Sequence, residues 1–253
     1  MVKIASRIKA MVCHLLISGV IAGAGALIIL QLWYPWPLSE MSGGWALLLL
    51  ICSVDLVLGP LLTLIVFDTR KSRGKIVFDL VVIGIFQISG LAYGLHTVYL
   101  ARPVVIAFEG KLFRVVSATE VEADELPNAA DGFKELSWKG PIFAGTRAST
   151  NESERFDALL HAMAGSDKGM RPNFWQPYEK SIPKILSDSK PLEELLKNHP
   201  EQKNTITKML KASGKRVEEI RYLPLISKFA VWTILLDATS AKPVFYLNLD
   251  TTQ

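Results

Sequence analysis

The chain has 253 residues, of which 50% are hydrophobic and 21% are charged, and its mean hydropathy is +0.28. This composition is too apolar for an ordinary soluble domain and too charged for a pure membrane bundle, and it excludes disorder, collagen-like repeats and coiled coils. Only seven Lys/Arg and four Asp/Glu lie in residues 1–100. We therefore predict a transmembrane region over 1–100, followed by an extracytoplasmic domain over 101–253. The net charge of +4 gives no reason to expect a nucleic-acid partner.

Three apolar segments are each long enough to cross the lipid bilayer as a helix. They cover residues 11–32, 44–67 and 76–99, and each exceeds the roughly 20 residues that cross about 30 Å of hydrocarbon. An open strand edge cannot be satisfied in lipid, so these segments are predicted to be helices. The first segment follows a basic N-terminus like a signal peptide. It is too long for one, however, and we expect it to be retained.

The basic residues indicate the orientation of the three spans. Lys and Arg occur within residues 3–9 and 70–75, and both are absent from residues 33–43. The positive-inside rule therefore predicts a cytoplasmic N-terminus and a C-terminal domain on the other side of the membrane. Four aromatic residues are expected to form an interfacial belt on that far side: Trp33, Tyr34, Trp36 and Trp45.

Two G-x-x-x-G motifs suggest where helices approach one another closely. Gly19 and Gly23 form one motif in the first span, and Gly90 and Gly94 form another in the third. Small residues at this spacing let two helix backbones meet in lipid. The motifs predict packing among the three helices of one protomer or, as an alternative, a groove for the membrane helix of another protein.

Asp55 lies about halfway along the second span, where an ionised carboxylate costs roughly 2.5–3.5 kcal/mol. Two interpretations follow. Gln87 of the third span could supply an interhelical hydrogen bond to Asp55, which is the structural interpretation. In the functional interpretation, Asp55 meets a polar group of a partner helix. Gly59 and Pro60 follow one turn later and predict a kink beside the buried acid.

Asp79 is the acidic residue of the third span. It lies one turn from Lys75, near the cytoplasmic face, with His14 of the first span at a comparable depth. We expect an interfacial ion pair there.

The second half of the chain has an α+β pattern. A β-hairpin is expected over 104–108 and 112–116, a loop over 123–150 and a second irregular stretch over 165–178. The pattern also predicts helices over 151–164, 191–197 and 200–212, and strands over 221–226, 229–236 and 243–249. These elements predict a mostly antiparallel sheet of about five strands.

No catalytic or metal-binding pattern stands out, so we expect no enzyme activity, no metal site and no cofactor. Cys13 and Cys52 both lie in the membrane region, and His161 and His199 are isolated from other ligands. S-x-x-K occurs at Ser181 and Ser187 without the companion motifs of acyl-transfer enzymes. Phe174 and Trp175 belong to an aromatic cluster that either anchors a partner or tucks under the edge of the sheet.

The block SVDLVLGPLLTLIVF at residues 53–67 resembles the TfpX/TfpZ family of type IV pilin accessory proteins. The resemblance extends to Asp79 and Gln87 in the third span and to the sequence Ala-Arg-Pro at residues 101–103. Carried over position by position, the motif residues are Asp55, Gly59, Pro60, Asp79, Gln87, Arg102 and Pro103.

This resemblance implies a multi-pass protein of the bacterial inner membrane, with a periplasmic C-terminal domain, that supports assembly, stability or surface display of a type IV pilin. A pilin before polymerisation is a long apolar helix with a globular periplasmic domain, so the expected partners are pilin and the lipid bilayer. Self-association into a homo-oligomer stays open. A membrane-tethered sensor that binds a periplasmic ligand is the alternative, although only about ten residues precede the first span and could carry a cytoplasmic output.

Overall fold

The computed structural model describes residues 2–252, and the chain divides after Arg102 into an N-terminal and a C-terminal unit. The N-terminal unit consists of helices joined by short connections. They are α1 (Val2–Leu27), which continues as a π-helical segment (Ile28–Trp33), α2 (Leu38–Met41), α3 (Gly44–Ser53), a second π-helical segment (Val54–Leu58), α4 (Gly59–Val66) and α5 (Arg73–Leu100).

Three continuous helical stretches are long and apolar enough to cross a membrane, as expected from the sequence. They cover Ile4–Trp33, Gly44–Val66 and Arg73–Leu100, and we call them the first, second and third spans. The first and third begin several residues before the predicted apolar segments. Charged residues can occupy the outer turn of a membrane helix because their long side chains reach the headgroup region.

The second span lies at the centre of the bundle. α1 packs along α4, and α5 packs against both α3 and α4. An apolar cluster joins the three spans at the end that is predicted to be extracytoplasmic: Ile29, Tyr34, Leu48, Ile51 and Val98. Tyr34 is fully buried in this cluster, so its predicted place in an interfacial belt is wrong, whereas Trp36 and Trp45 are exposed. The ring of Tyr34 is enclosed because the chain turns back at Gly43 and Gly44 directly over it.

The two G-x-x-x-G motifs have different environments. A Cβ on Gly94 would lie 2.8 Å from Cγ1 of Ile51, so this glycine allows the second and third spans to pack closely. A Cβ on Gly19 or Gly23 would have no atom within 4 Å. Packing within one protomer is therefore the correct interpretation for Gly94 and wrong for the motif of the first span, which faces away from the bundle.

The C-terminal unit is an α+β domain with one eight-stranded sheet. The strands are β1 (Pro103–Glu109), β2 (Leu112–Ser117), β3 (Ile142–Thr146), β4 (Trp175–Pro177), β5 (Lys190–Pro191), β6 (Ile220–Ile226), β7 (Val231–Asp237) and β8 (Pro243–Leu247). The helices are α6 (Glu152–Met163), α7 (Ile182–Asp188), α8 (Leu192–Asn198) and α9 (Lys203–Ser213), with short 3₁₀ turns between them.

The sheet is mixed, which corrects the expected mostly antiparallel arrangement. The strand order is β4-β3-β1-β2-β6-β7-β8, and β5 pairs separately with β6. β3 is parallel to β1, and β6 is parallel to β2. Both parallel pairs arise from long connections that return the chain to the end of the sheet where the earlier strand began, and no local pattern encodes such a crossover.

Hairpins and caps follow their local sequence signals. Gly110 has a φ of +66° in the β1–β2 turn, where glycine adopts the left-handed region at no steric cost. The side chain of Asn151 accepts a hydrogen bond from the backbone N–H of Glu154 at 2.8 Å and so caps α6. A hydrogen bond from the guanidinium of Arg147 and one from the backbone N–H of Thr150 lower the pKa of Glu154 to about 2.

Candidate functional site

Five polar side chains from all three spans meet inside the apolar bundle. They are His14 and Ser18 of the first span, Asp55 and Thr63 of the second, and Gln87 of the third. Ser18, Asp55 and Thr63 are buried, and His14 and Gln87 are half-buried. Polar groups at this depth are costly in lipid, so a cluster of them indicates a site rather than chance composition. We call this set the intramembrane polar cluster.

Helical spacing brings the members of the polar cluster together. His14 and Ser18 are four residues apart and therefore share one face of α1. Asp55, Gly59 and Thr63 repeat the same spacing along the buried face of the second span. These two faces oppose each other because α1 packs along α4.

Gln87 connects the three spans. Its amide Nε2 donates to the backbone carbonyl of Asp55 at 3.2 Å, and its Oε1 lies 2.6 Å from Nε2 of His14. The other ring nitrogen of His14, Nδ1, lies 2.5 Å from the hydroxyl of Thr63. Gly59 makes this approach possible, because a Cβ there would lie 2.1 Å from Nε2 of Gln87.

The second span changes its hydrogen-bonding register beside the polar cluster. Val54–Leu58 is π-helical, a register in which each carbonyl is paired with the N–H five residues later. For the carbonyl of Asp55 that residue is Pro60, which has no N–H. The side chain of Gln87 supplies the missing donor from another helix. The structure thus shows a change of register just before Gly59-Pro60, whereas the kink expected there stays a prediction. The change of register leaves a backbone acceptor open to the third span.

The carboxyl group of Asp55 is left without compensation. Asp55 is 4% exposed, and its Oδ1 is buried with no hydrogen-bond partner among residues 2–252. The predicted contact between Asp55 and Gln87 exists, but it uses the backbone carbonyl rather than the carboxyl group. The structural interpretation thus explains the position of Gln87 and leaves the acid itself unexplained.

Two hollows in the flanks of the bundle both reach Asp55. One, of about 210 Å³, opens between the first and third spans and is lined by His14, Ser18, Asp55, Gln87 and apolar neighbours including Ile88. The other, of about 270 Å³, lies between the second and third spans and is lined by Asp55, Ile51, Gly90 and Gly94. Each is otherwise almost entirely apolar. An apolar helix laid along either flank would therefore bring its side chains to an unpaired carboxyl.

Asp79 lies apart from the polar cluster. Its carboxylate accepts a hydrogen bond from Nζ of Lys71 at 2.6 Å, so the expected ion pair exists with Lys71 and not with Lys75. His14, which the sequence placed at the depth of Asp79, binds Thr63 and Gln87 instead.

A second ion pair lies at the same end of the bundle. Asp68 contacts Arg7 at 3.2 Å and Arg70 at 2.6 Å. Hydrogen bonds from Arg70 hold the pKa of Asp68 well below its usual value. These ion pairs link the first span to the connection between the second and third spans, at the end of the bundle where the basic residues 3–9 and 70–75 lie.

Three other candidate residues are also separate from the polar cluster. Arg102 follows α5, where its Nη1 donates to the carbonyl of Tyr99 at 2.6 Å and its guanidinium lies 3.7 Å from the centroid of the Tyr99 ring. Phe174 and Trp175 are 1% and 2% exposed within the C-terminal unit. Phe174 is packed among cationic side chains, and Nε1 of Trp175 donates to the carbonyl of Gly169. The partner-anchor interpretation is therefore wrong for these two rings, because the domain buries them.

Sequence reasoning missed three members of the polar cluster: His14, Ser18 and Thr63. Their signal was present as polar residues repeating at intervals of four on otherwise apolar helices. The S-x-x-K candidates have other contacts, since Lys184 pairs with Asp188 and Lys190 pairs with Glu194. Within the described chain, no group of His, Cys, Asp and Glu is arranged to hold a metal ion.

Comparison with known proteins gives one consistent group of relatives. Residues 2–43 match the family described as fimbrial assembly protein FimB. Two fimbrial assembly proteins of Dichelobacter nodosus, of serogroups E1 and I, are each 33% identical over 88% of this chain and 88% of their own length. A third, of serogroups C1 and C2, is 37% identical over 46% of this chain. No solved structure matches.

Proposed function

This chain belongs to the family of fimbrial assembly proteins, and from that premise we propose that it assists a type IV pilin in the membrane by binding the pilin's apolar helix beside Asp55. The observation that carries the proposal is the buried, unpaired carboxyl of Asp55 at the base of two flank hollows. A partner helix that brings a hydrogen-bond donor to this depth would satisfy the acid. The segment SVDLVLGPLLTLIVF, which carries the resemblance to the TfpX/TfpZ accessory proteins, includes this acid and is consistent with the same proposal.

The surroundings of Asp55 suit a transient helix partner. The larger hollow is lined mostly by apolar side chains, and the smaller one combines apolar side chains with members of the polar cluster, so a partner helix can pack closely at either hollow. Gln87 links the three spans through its contacts with Asp55 and His14 in the absence of a partner. Binding and release of a helix would therefore not require the bundle to come apart.

Photocrosslinking tests this proposal directly. With benzoylphenylalanine at Ile88, which lines the smaller hollow and is 67% exposed, we expect a crosslink to pilin in intact membranes. Phe86 is a matched control because it is 74% exposed and about 200° away around the same helix. Equal pilin crosslinking from both positions, or no crosslinking from Ile88, would contradict docking of pilin at the smaller hollow, which Ile88 lines.

We further propose that the protein lies in the bacterial inner membrane with the N-terminus in the cytoplasm and the C-terminal unit in the periplasm. The basic residues at 3–9 and 70–75 support this orientation. Alkaline phosphatase fused after Phe108 should therefore be active, and the same enzyme fused after Arg73 should be inactive. The opposite activities would reverse the orientation and the compartment of the domain.

We propose a non-enzymatic role for the C-terminal unit. The lysines that follow Ser181 and Ser187 at the S-x-x-K spacing pair with acidic residues, so neither lysine is free to act as the base that this motif requires. Ser187→Ala, at an exposed position, should leave surface fimbriae at the wild-type level by electron microscopy. Loss of fimbriae at an unchanged protein level would instead favour an acyl-transfer activity.

A further inference from the structure

Large apolar side chains that are exposed in the C-terminal unit fall into two groups. Within the described part of this unit, one group is Trp138, Ile142 and Phe229, which are 60%, 36% and 68% exposed. The other group is the outer face of α6, with Phe156, Leu159, Leu160 and Met163. Exposed apolar groups of this size mark surfaces that contact another protein, a ligand or a membrane. The position of each group in the fold indicates what it can meet.

The first group lies at the end of the sheet where the chain enters the domain. β1 begins at Pro103, which is paired with Ser117 at the end of β2. Ile142 is the first residue of β3 and is paired with Val105, two residues from that same end. Trp138 is in the loop just before β3. The turn that carries Phe229 joins β6 to β7 and points toward this end, because β6 runs parallel to β2; Ile226, the last residue of β6, is paired with Arg114, three residues before Ser117.

The second group lies at the opposite end of the sheet. A groove of about 640 Å³ runs along α6 and is lined by Phe156, Leu159 and Glu109, and Glu109 is the last residue of β1. The outer face of α6 is therefore remote from Pro103. This face supplies a second exposed apolar surface for comparison, at the other end of the same domain.

Chain connectivity ties the first group to the bilayer. The third span ends at Leu100, and β1 begins at Pro103. Three peptide steps reach at most about 11 Å, so the Pro103 end of the sheet starts close to the surface of whichever membrane holds the third span.

Each exposed aromatic residue of the first group has a lysine beside it. Nζ of Lys139 lies 5.2 Å from the centroid of the Trp138 ring, and Nζ of Lys228 lies 6.0 Å from that of Phe229. Both lysines are exposed. An aromatic ring with a neighbouring ammonium group is suited to the membrane interface, because the ring enters the headgroup layer while the cation pairs with lipid phosphate.

We propose that Trp138, Lys139, Ile142, Lys228 and Phe229 form a lipid-contact surface that docks the C-terminal unit on the outer leaflet of the bilayer holding its own spans. The ligand is the phospholipid headgroup layer. The proposal depends on the third span crossing a membrane in the orientation proposed above, and it is independent of any role in binding pilin. Docking at two loops would fix the orientation of the domain and leave α6, with its apolar outer face, turned away from the lipid.

Spin labelling of the full-length protein tests this surface. In a background with Cys13→Ser and Cys52→Ser, single cysteines would replace Trp138, Phe229 or Phe156 and be labelled in nanodiscs of phosphatidylethanolamine and phosphatidylglycerol. Labels at 138 and 229 should be more accessible to oxygen than to a polar nickel complex, with a ratio at least about twofold above that of the label at 156. Each label replaces one ring and leaves the other loop intact.

The comparison positions and a charge variant decide the outcome. Equal ratios at 138, 229 and 156, or a lipid-like ratio at 156 alone, would overturn the proposal. Immobile labels at 138 and 229 that remain accessible to nickel would indicate a protein partner and would also overturn it. The double variant Lys139→Glu, Lys228→Glu should lower the oxygen-to-nickel accessibility ratio of the label at 229 in these nanodiscs. An unchanged ratio would show that the two lysines are not part of the lipid-contact surface.

Discussion

Asp55→Ala is expected to preserve the three-span bundle while weakening pilin binding about tenfold, a loss of about 1.4 kcal/mol, and thereby reducing the number of surface fimbriae. The bundle should persist because Gln87 binds the backbone carbonyl at residue 55, which alanine retains. Removing an unpaired acid from mid-membrane should even stabilise the protein, since such an acid costs roughly 2.5–3.5 kcal/mol at the centre of a span. Function and stability are thus expected to change in opposite directions.

Three readouts check this prediction: the level of the protein in membranes, its thermal stability in detergent, and pilin crosslinking from Ile88. Asp55→Asn is the intermediate variant, because it keeps the size of the side chain and its hydrogen-bonding capacity but not its charge. If the Asp55→Ala protein is abundant and still restores full fimbriation, Asp55 does not contact pilin. If the variant is degraded, the acid is structural and the proposal fails for a different reason.

Gly59→Ala is expected to have the largest effect on the stability of the bundle. The new methyl group would lie 2.1 Å from Nε2 of Gln87, so the amide would have to move away from the second span. That movement breaks its contacts with the carbonyl of Asp55 and with His14. Interhelical bonds in membranes average about 0.6 kcal/mol each, so we expect a loss of about 1–2 kcal/mol.

A double-mutant cycle separates this mechanism from general crowding. If Gly59→Ala acts by displacing Gln87, it should add little destabilisation to a Gln87→Ala protein. Gly19→Ala is a matched control, since a Cβ there has no atom within 4 Å, and it should be silent. Thermal unfolding in detergent measures the stability of the four purified variants: Gly59→Ala, Gln87→Ala, the double variant and Gly19→Ala. Equal destabilisation by Gly59→Ala with and without Gln87 would show that the helix backbones themselves collide.

The number and length of the spans were predictable because a bilayer imposes a simple rule on apolar length. The partners of individual polar residues were less predictable. Lys75 and Asp79 have the spacing of an ion pair on one helix, yet Lys71 from the preceding loop reaches the acid instead. The π-helical register beside Pro60 also leaves little local trace, although it decides which backbone carbonyl Gln87 can bind.

In the C-terminal unit, local patterns predicted the long strands and missed the short ones. β3 lies within a stretch expected to be a loop, and β4 and β5 have three and two residues, too few to display an alternating pattern. Their existence depends on neighbours distant in sequence, such as β1 for β3. The parallel pairings of β3 with β1 and of β6 with β2 also join strands distant in sequence, so local patterns could not predict them. The sequence therefore led us to expect a mostly antiparallel sheet.

The two borders of the sheet restrict how a partner can recognise the domain. β4 and β8 are the outermost strands, and each contains a proline, Pro177 or Pro243, that removes one backbone donor. Short strands with proline are a common protection against edge-to-edge association. Insertion of a partner's extended segment beside this sheet is therefore disfavoured, and recognition is directed to loops and helix faces. A domain built this way avoids pairing the edges of its sheet with strands of neighbouring molecules.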